Sequence, residues 1–238
     1  MSLLFISLNA PHIIMSIFNG YPTKRTTGDL AHWITKIGLS AIPHFGGPAV
    51  EVFQYLKESP LERRRDSFIQ QLGERFVELE AKGIKLENLQ QNEQFISAVL
   101  QVTQTALRTH QADKLAALRN VLVNLAQGQT VEETLLHILL SHIDTLSEMH
   151  LRTLKVLQAP TIPPEWNEDG DMHSFSELII HNIPELRESS ISSQLLVDLN
   201  ARGLIGIEFN TGVRARDVTN RVTSIGESLI RLITDQGG

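Results

Sequence analysis

Residues 95–127 read FISAVLQVTQTALRTHQADKLAALRNVLVNLAQ, and residues 130–157 continue TVEETLLHILLSHIDTLSEMHLRTLKVL. Val, Leu, Ile or Ala recurs at almost every third or fourth position, and no proline interrupts the run. That is the period of amphipathic helices packed on one another, sustained over several consecutive elements. Asn92 reads as an N-cap with Glu93 behind it, followed by a stripe of Phe95, Val99, Val102 and Ala106. Leu115, Leu118, Leu122 and Leu125 make the next stripe. No Gly or Pro separates Thr109 from Lys114, yet the apolar face shifts there by about a quarter turn. One bent helix and two separate helices both fit. Gly128 ends the run, and Thr130 with Glu133 reads as a capping box opening a helix over 131–146. With Leu135, Leu136, Ile138, Leu139, Leu140 and Ile143, that helix is apolar nearly all round and is expected in the middle of a bundle.

The 238-residue chain is 42% hydrophobic and 20% charged, which fits a globular protein able to bury a core. Aromatic residues make up only 5%, so that core must be mostly aliphatic. A net charge of −6 argues against a protein that coats nucleic acid without sequence preference, although it leaves room for a local basic patch. The absence of cysteine excludes disulfides, thiolate nucleophiles and Cys-ligated metal centres, and it suits a reducing compartment. The first twenty residues are apolar, but the first lysine is Lys24, beyond the apolar run, which is the wrong order for a secretory signal. Asn9, Pro11 and His12 also break the run short of the ~18 apolar residues a spanning helix needs. A cytoplasmic protein is expected, with an extension over 1–28 that packs on its own surface or a partner's; a start codon assigned too early is the alternative.

Residues 29–42 (DLAHWITKIGLSAI) read as a short amphipathic helix closed by Pro43, and Gly46-Gly47-Pro48 turns the chain into a second helix over 49–57. Small residues in such an apolar hairpin raise membrane insertion as a reading for Trp33–Leu56. Lys36, His44 and Glu51 interrupt that surface, and a packed hairpin is preferred. Ser59-Pro60-Leu61-Glu62 starts the next helix, with Ser59 as N-cap and Pro60 at the first position. Leu61, Arg65, Phe68, Leu72, Phe76 and Leu79 follow as a heptad-like stripe ending at Gly83. The Arg63-Arg64-Arg65 run is read as a solvated face balanced by Glu58, Glu62 and Asp66 in preference to a phosphate site.

After residue 146 the pattern changes. A helix from Ser147-Glu148 to about Gln158 gives way to APTIPPEWNEDGD (159–171), whose three prolines and four acidic residues read as a loop or linker. Two helical segments follow, SFSELIIHNI and SSISSQLLVDLNARG; then LIGIEF alternates as a half-buried strand does. Asn210-Thr211-Gly212 signals a hairpin turn, and 217–222 is the expected returning strand before a final helix. Helix, helix, helix, strand, wing, strand, helix is the order of a winged helix. The segments LSEMHLRTLKVL, SSQLLVDLNARGLI and VTSIGESLIRLI resemble the first helix, recognition helix and exit helix of MarR-like bacterial regulators. Two patterns carry this resemblance, L-x-x-L-x-x-x-G-L-I and T-x-x-G-x-x-L, over roughly residues 147–235. More loosely, ALRNVLVNLAQG through LLSHIDTLSEMHLRTLKVL resembles bacterial helical proteins related to the abortive-infection alpha family, which implies a role in defence against phage.

A DNA reader of this type would place its recognition helix in the major groove and offer donors to base edges. The candidates there are Gln194, Asn200 and Arg202, with Ser192 and Ser193 beside them and Asp198 opposing; in the wing they are Arg214, Arg216 and Arg221. Residues 171–238 nevertheless carry nine acidic residues against six arginines, a net of −3. A surface for protein contact or dimerisation is therefore preferred to DNA binding.

Catalytic motifs are absent. Glu133, His137, His142, Asp144, Glu148 and His150 form the most suggestive polar group, but His137 and His142 are five apart, about 140° around a helix, and cannot form the i, i+4 pair of a helical zinc site. Arg108, His110, Arg119, Asn120 and Asn124 form another, with Asn120 and Asn124 on one face, and a buried network fixing helix register accounts for them. Gly46-Gly47 lacks the context of a phosphate loop, and no serine sits in a nucleophile elbow. The sequence thus predicts a mainly α protein: an N-terminal extension (1–28), a helical bundle (29–146) and a winged-helix module with a small β-hairpin (147–235). It predicts a non-enzymatic bacterial interaction or regulatory protein with a protein partner or self-association. No cofactor, metal or small-molecule substrate is inferred. A DNA-binding regulator and a membrane-associated effector using 33–56 are the alternatives.

Overall fold

The computed structural model describes residues 60–86, 89, 91–167, 170–209 and 212–235. The extension over 1–28, the hairpin over 29–57, the Ser59 cap and the Asn210-Thr211 turn lie outside these residues. Among the described residues the chain is mainly helical: α1 Pro60–Ala81, α2 Glu93–Arg108, α3 Ala112–Ala126, α4 Glu133–Thr145, α5 Glu148–Gln158, α6 Phe175–Asn182, α7 Ser192–Ala201 and α8 Ser224–Ile233. None is long and apolar enough to cross a membrane.

Local signals set most of the ends. Phe68, Leu72, Phe76 and Leu79 of α1 are all buried, and Asn92 Oδ1 accepts the Phe95 N–H at 3.0 Å to start α2. Gly83, Gly128 and Gly203 adopt φ of 85°, 90° and 69° where α1, α3 and α7 stop, a conformation that costs a residue with a Cβ more than glycine. The open choice between 93 and 126 resolves as two helices. Thr109 is extended, and its hydroxyl accepts the Gln111 N–H at 3.2 Å. The break lets Phe95, Val99 and Val102 of α2 and Leu118, Val121 and Leu122 of α3 each face the core.

Two expectations for α4 need correction. It starts at Glu133, and the cap is Glu132, whose carboxylate accepts the N–H groups of Thr134 and Leu135 at 2.9 and 2.8 Å; Thr130 is not the cap. Those two bonds hold the Glu132 carboxyl below its usual range. Nor is α4 the central helix. Only Leu136, Leu139, Leu140 and Ile143 are buried, and Ile138 faces outward. The central helix is α3, which packs on α1, α2, α5 and α8. Hydrophobicity around the whole of α4 overstated its burial: among the described residues, Leu135 is half-buried and Ile138 is exposed.

The C-terminal part joins the same core. One continuous set of buried side chains runs from Phe68 to Ile233 across the boundary at 146/147. The proline-rich loop is pinned rather than free: Trp166 is buried and stacks on His173 at 4.0 Å, and Asn182 exchanges hydrogen bonds with both backbone groups of Thr161. The expected β-hairpin is not found among the described residues. Two single antiparallel bridges stand in its place, His173 with Val213 and Ile205 with Val222, and 215–217 is a turn of 3₁₀-helix. Gly206 N–H and Thr223 N–H bond across the second bridge to the Arg221 and Leu204 carbonyls at 2.8 and 3.0 Å, but Arg221 N–H, the next donor a ladder would need, is used elsewhere. Ile207 N–H bonds to the Asn200 side chain at 3.0 Å, Arg221 N–H to the Leu157 carbonyl at 3.0 Å, and Val222 N–H to Asn220 Oδ1 at 2.8 Å.

Both patterns that carried the resemblance have physical roles here. Leu196, Leu199, Leu204 and Ile205 are core residues. Thr223 caps α8 by accepting the Gly226 N–H at 3.2 Å and donates its hydroxyl to the Gly203 carbonyl at 2.6 Å. Gly226 lets α8 lie directly on the chain after α7, since a Cβ there would overlap the Leu204 carbonyl oxygen and Val222 Cγ1. Helix propensity alone makes Gly→Ala favourable by about 1 kcal/mol. Overpacking against backbone reverses that sign, so Gly226→Ala is expected to destabilise by roughly 1–3 kcal/mol in urea unfolding. Gly206→Ala, where a Cβ meets open space, should change little by the same measurement.

Candidate functional site

Leu195, Leu196 and Leu199 turn one side of α7 into the core, which leaves Ser193, Gln194, Val197 and Ala201 exposed. Of the six residues expected to meet nucleic acid, several are engaged within the fold. Gln194 Nε2 donates to Asp198 Oδ1 at 2.6 Å on its own helix. Asn200 Oδ1 accepts the Ile207 N–H and fixes the chain leaving α7. Arg202 reaches back to α4, donating to Thr145 Oγ1 at 2.9 Å. Arg221 donates to the Asp217 carbonyl at 2.9 Å, and its guanidinium lies 5.6 Å from the centre of the Phe175 ring. Arg216 is exposed with Nε 3.9 Å from Asp217 Oδ1, and Arg214 is exposed beside it in sequence. Gln194, Asn200, Arg202 and Arg221 thus each bond within the fold, to partners on different segments.

The feature that sequence reasoning missed lies between α6, α7 and the loop after α7. A cleft of about 500 Å³ has Phe175 and Leu196 among its lining residues and Met172 and Phe209 at its edge. Those two are 52% and 48% exposed, large values for side chains of this size. Ser176 and Ser193 close one wall through a 2.9 Å hydrogen bond between their hydroxyls. Val197 lies four residues beyond Ser193, on the same side of α7, and is 43% exposed; Ile191, just before the helix, is 44% exposed. The alternation of LIGIEF puts Phe209 in phase with Ile205 and Ile207. Ile205 and Ile207 are buried, but Phe209 lies beyond the point where Asn200 diverts the chain. Val197, a valine off the Leu195–Leu196–Leu199 stripe, was the one legible sign.

A second, polar constellation sits where α2, α3, α4 and α5 meet, beside a cavity of about 330 Å³. Asp144 accepts from Thr105 Oγ1 at 2.9 Å and from the Arg108 guanidinium at 2.5 Å. Lys114, only 7% exposed, donates Nζ to the carbonyls of Asp144 and Leu146 at 2.9 and 2.6 Å, capping the end of α4. Burial pushes its ammonium below the usual lysine range; nearby Asp144 acts in the opposite sense, and Arg108 adds to the lowering. Next to it, Ser147 Oγ is 2.7 Å from His150 Nδ1, and His150 Nε2 is 3.3 Å from Asp198 Oδ2. Serine, imidazole and carboxylate in line is the order of a nucleophile relay. Here, however, Ser147 is the N-cap of α5 and the imidazole closes the reciprocal half of its capping box. Burial, then Arg202, lowers the basicity of His142. No group of three or more His, Asp or Glu side chains among the described residues is placed to hold a metal ion.

Asn120 and Asn124 do form a register-fixing network. Asn120 donates to the Ile233 carbonyl at 2.9 Å, while Asn124 Nδ2 lies within 2.8–3.2 Å of the Arg231, Leu232 and Thr234 carbonyls. No family model, curated protein or solved structure matches the chain.

The buried lysine gives a stability test. Lys114→Met keeps the aliphatic bulk but leaves two carbonyls without their donor, so urea unfolding should show a loss of roughly 1–3 kcal/mol. Lys114→Arg, whose wider head must displace Leu146, should not restore it.

Proposed function

We propose that this chain is a non-enzymatic interaction protein whose C-terminal part, residues 147–235, is a reduced winged helix used to contact another protein. The order α5, bridge residue His173, α6, α7, bridge residue Ile205, loop, bridge residue Val222 and α8 supports the winged-helix reading. The observation that carries the choice of partner is the outward side of α7. It presents Val197 and Ala201 with Gln194, and Met172 and Phe209 stand at the neighbouring cleft. A helix that reads a major groove needs Arg, Lys, Asn or Gln free to meet base edges. On α7 and just past it, Asn200 and Arg202 bond within the fold, and Asp198 adds a negative charge. Exposed apolar residues around a cleft with a polar rim suit a protein partner or a second copy of the chain. The bacterial setting and a role in phage defence rest on the abortive-infection resemblance of the sequence.

A photo-crosslinking amino acid at position 197 tests the reading directly in the producing cell. The expected adduct is protease-sensitive and survives nuclease. A nuclease-sensitive adduct would sink the proposal. So would micromolar or tighter binding of duplex DNA at physiological salt that is lost in the Arg214→Ala, Arg216→Ala double variant, since non-specific affinity alone lies in the range of about 10⁻⁴–10⁻⁶ M.

A further inference from the structure

His150 occupies the third position of α5, where a capping box ordinarily places Glu or Gln. Its ring is shared between two helices. Nδ1 accepts the Ser147 backbone N–H at 3.2 Å, and Nε2 faces Asp198 Oδ2 of α7 at 3.3 Å. The Gln194 amide holds the Asp198 carboxyl below its usual range, despite desolvation, with His150 adding to the effect. A carboxylate only accepts hydrogen bonds, and Ser147 N–H only donates, so the proton of the neutral ring belongs on Nε2.

We propose that His150 is a proton-operated latch, closing the α5 cap and holding α7 when neutral and releasing the cap when protonated. A second proton can enter only at Nδ1, where it meets the N–H of Ser147. The Ser147 hydroxyl can turn to accept it, but the backbone N–H loses its acceptor, and one half of the capping box is gone. The bond to Asp198 survives on the other side of the ring. Protonation therefore transfers the ring's allegiance from its own helix to α7. The first turn of α5 is also held from α3, where Gln111 Oε1 accepts the Glu148 N–H at 3.2 Å, and the preceding Leu146 carbonyl is held by Lys114. The joint that loosens thus links α3, α4, α5 and α7.

The charges around the ring set the direction. From α7 Asp198 favours the imidazolium and Arg202 opposes it; from α3 Lys114 opposes it. On α4, His142 feels the same Arg202, and Asp144 is paired with Arg108. Burial of the ring is the largest influence and keeps it neutral below the ordinary histidine range. Unfolded chains bind the proton near pH 6.5, so stability from the latch is complete above that pH. It is lost as pH falls below 6.5 toward and through the lower folded value. This holds whatever the outward side of α7 contacts.

The test pairs a titration with a substitution. In nuclear magnetic resonance the His150 ring should titrate with a midpoint below 6.5, and the Ser147 amide should shift with the same midpoint. His150→Gln restores a capping residue that accepts the Ser147 N–H and cannot titrate. Between pH 7 and pH 5 the urea midpoint of the wild type and of His142→Gln should fall by more than that of His150→Gln. A ring midpoint at or above 6.5, a Ser147 amide indifferent to it, or an undiminished acid loss in His150→Gln would each overturn the proposal. The wild-type titration decides alone should the variant fail to fold.

Discussion

Three polar side chains on the central helix hold the two halves of this molecule in register. Lys114 at one end of α3 binds the last carbonyls of α4, and Asn120 and Asn124, near the other, bind the last carbonyls of α8. A helix end leaves four carbonyls without intrahelical partners, and burying them unpaired is costly. By supplying donors from within the core, α3 lets two helices stop against it without reaching water. Aliphatic packing alone tolerates sliding by a turn; a side-chain amide aimed at particular carbonyls does not. The apolar surface provides most of the driving force, and these few polar contacts select one arrangement of it.

Legibility followed the range over which each interaction acts. Caps, glycine stops and apolar stripes are local, and Asn92, Ser147, Gly83, Gly128 and Gly203 declare them within a few residues. Failures occurred where another group competed. Thr130-x-x-Glu133 satisfies a capping pattern, yet Glu132 is the cap, accepting the N–H groups of Thr134 and Leu135. LIGIEF alternates as a strand should, but the Leu157 carbonyl takes Arg221 N–H, the donor that would extend the pairing beyond one bridge. Leu157 is not visible in the segment itself. The Asn120 and Asn124 network was legible as a network because the two residues share a face; its target on α8, over a hundred residues away, was not.

The candidate site shows the same division. Arginine, asparagine and glutamine near a recognition-like helix invite a nucleic-acid reading by residue type alone. Their partners Thr145, Ile207 and Asp217 lie on other elements and become evident only when the chain is folded. Conversely, the apolar side chains of Met172 and Phe209 stand exposed at a cleft. Side-chain chemistry names what a residue can do, while tertiary placement decides what it is left free to do.

The packing of α8 on α3 also bears on how the chain is made. During synthesis α3 leaves the ribosome roughly a hundred residues before α8, several seconds at ordinary elongation rates of about 5–20 residues per second. Throughout that interval the flank of α3 that α8 will cover has no native partner, and Asn120 and Asn124 face solvent or whatever protein is near. The first half can gather its helices early, but its closure waits on the later translation of α8. A nascent chain of this design carries an uncovered apolar flank until α8 arrives.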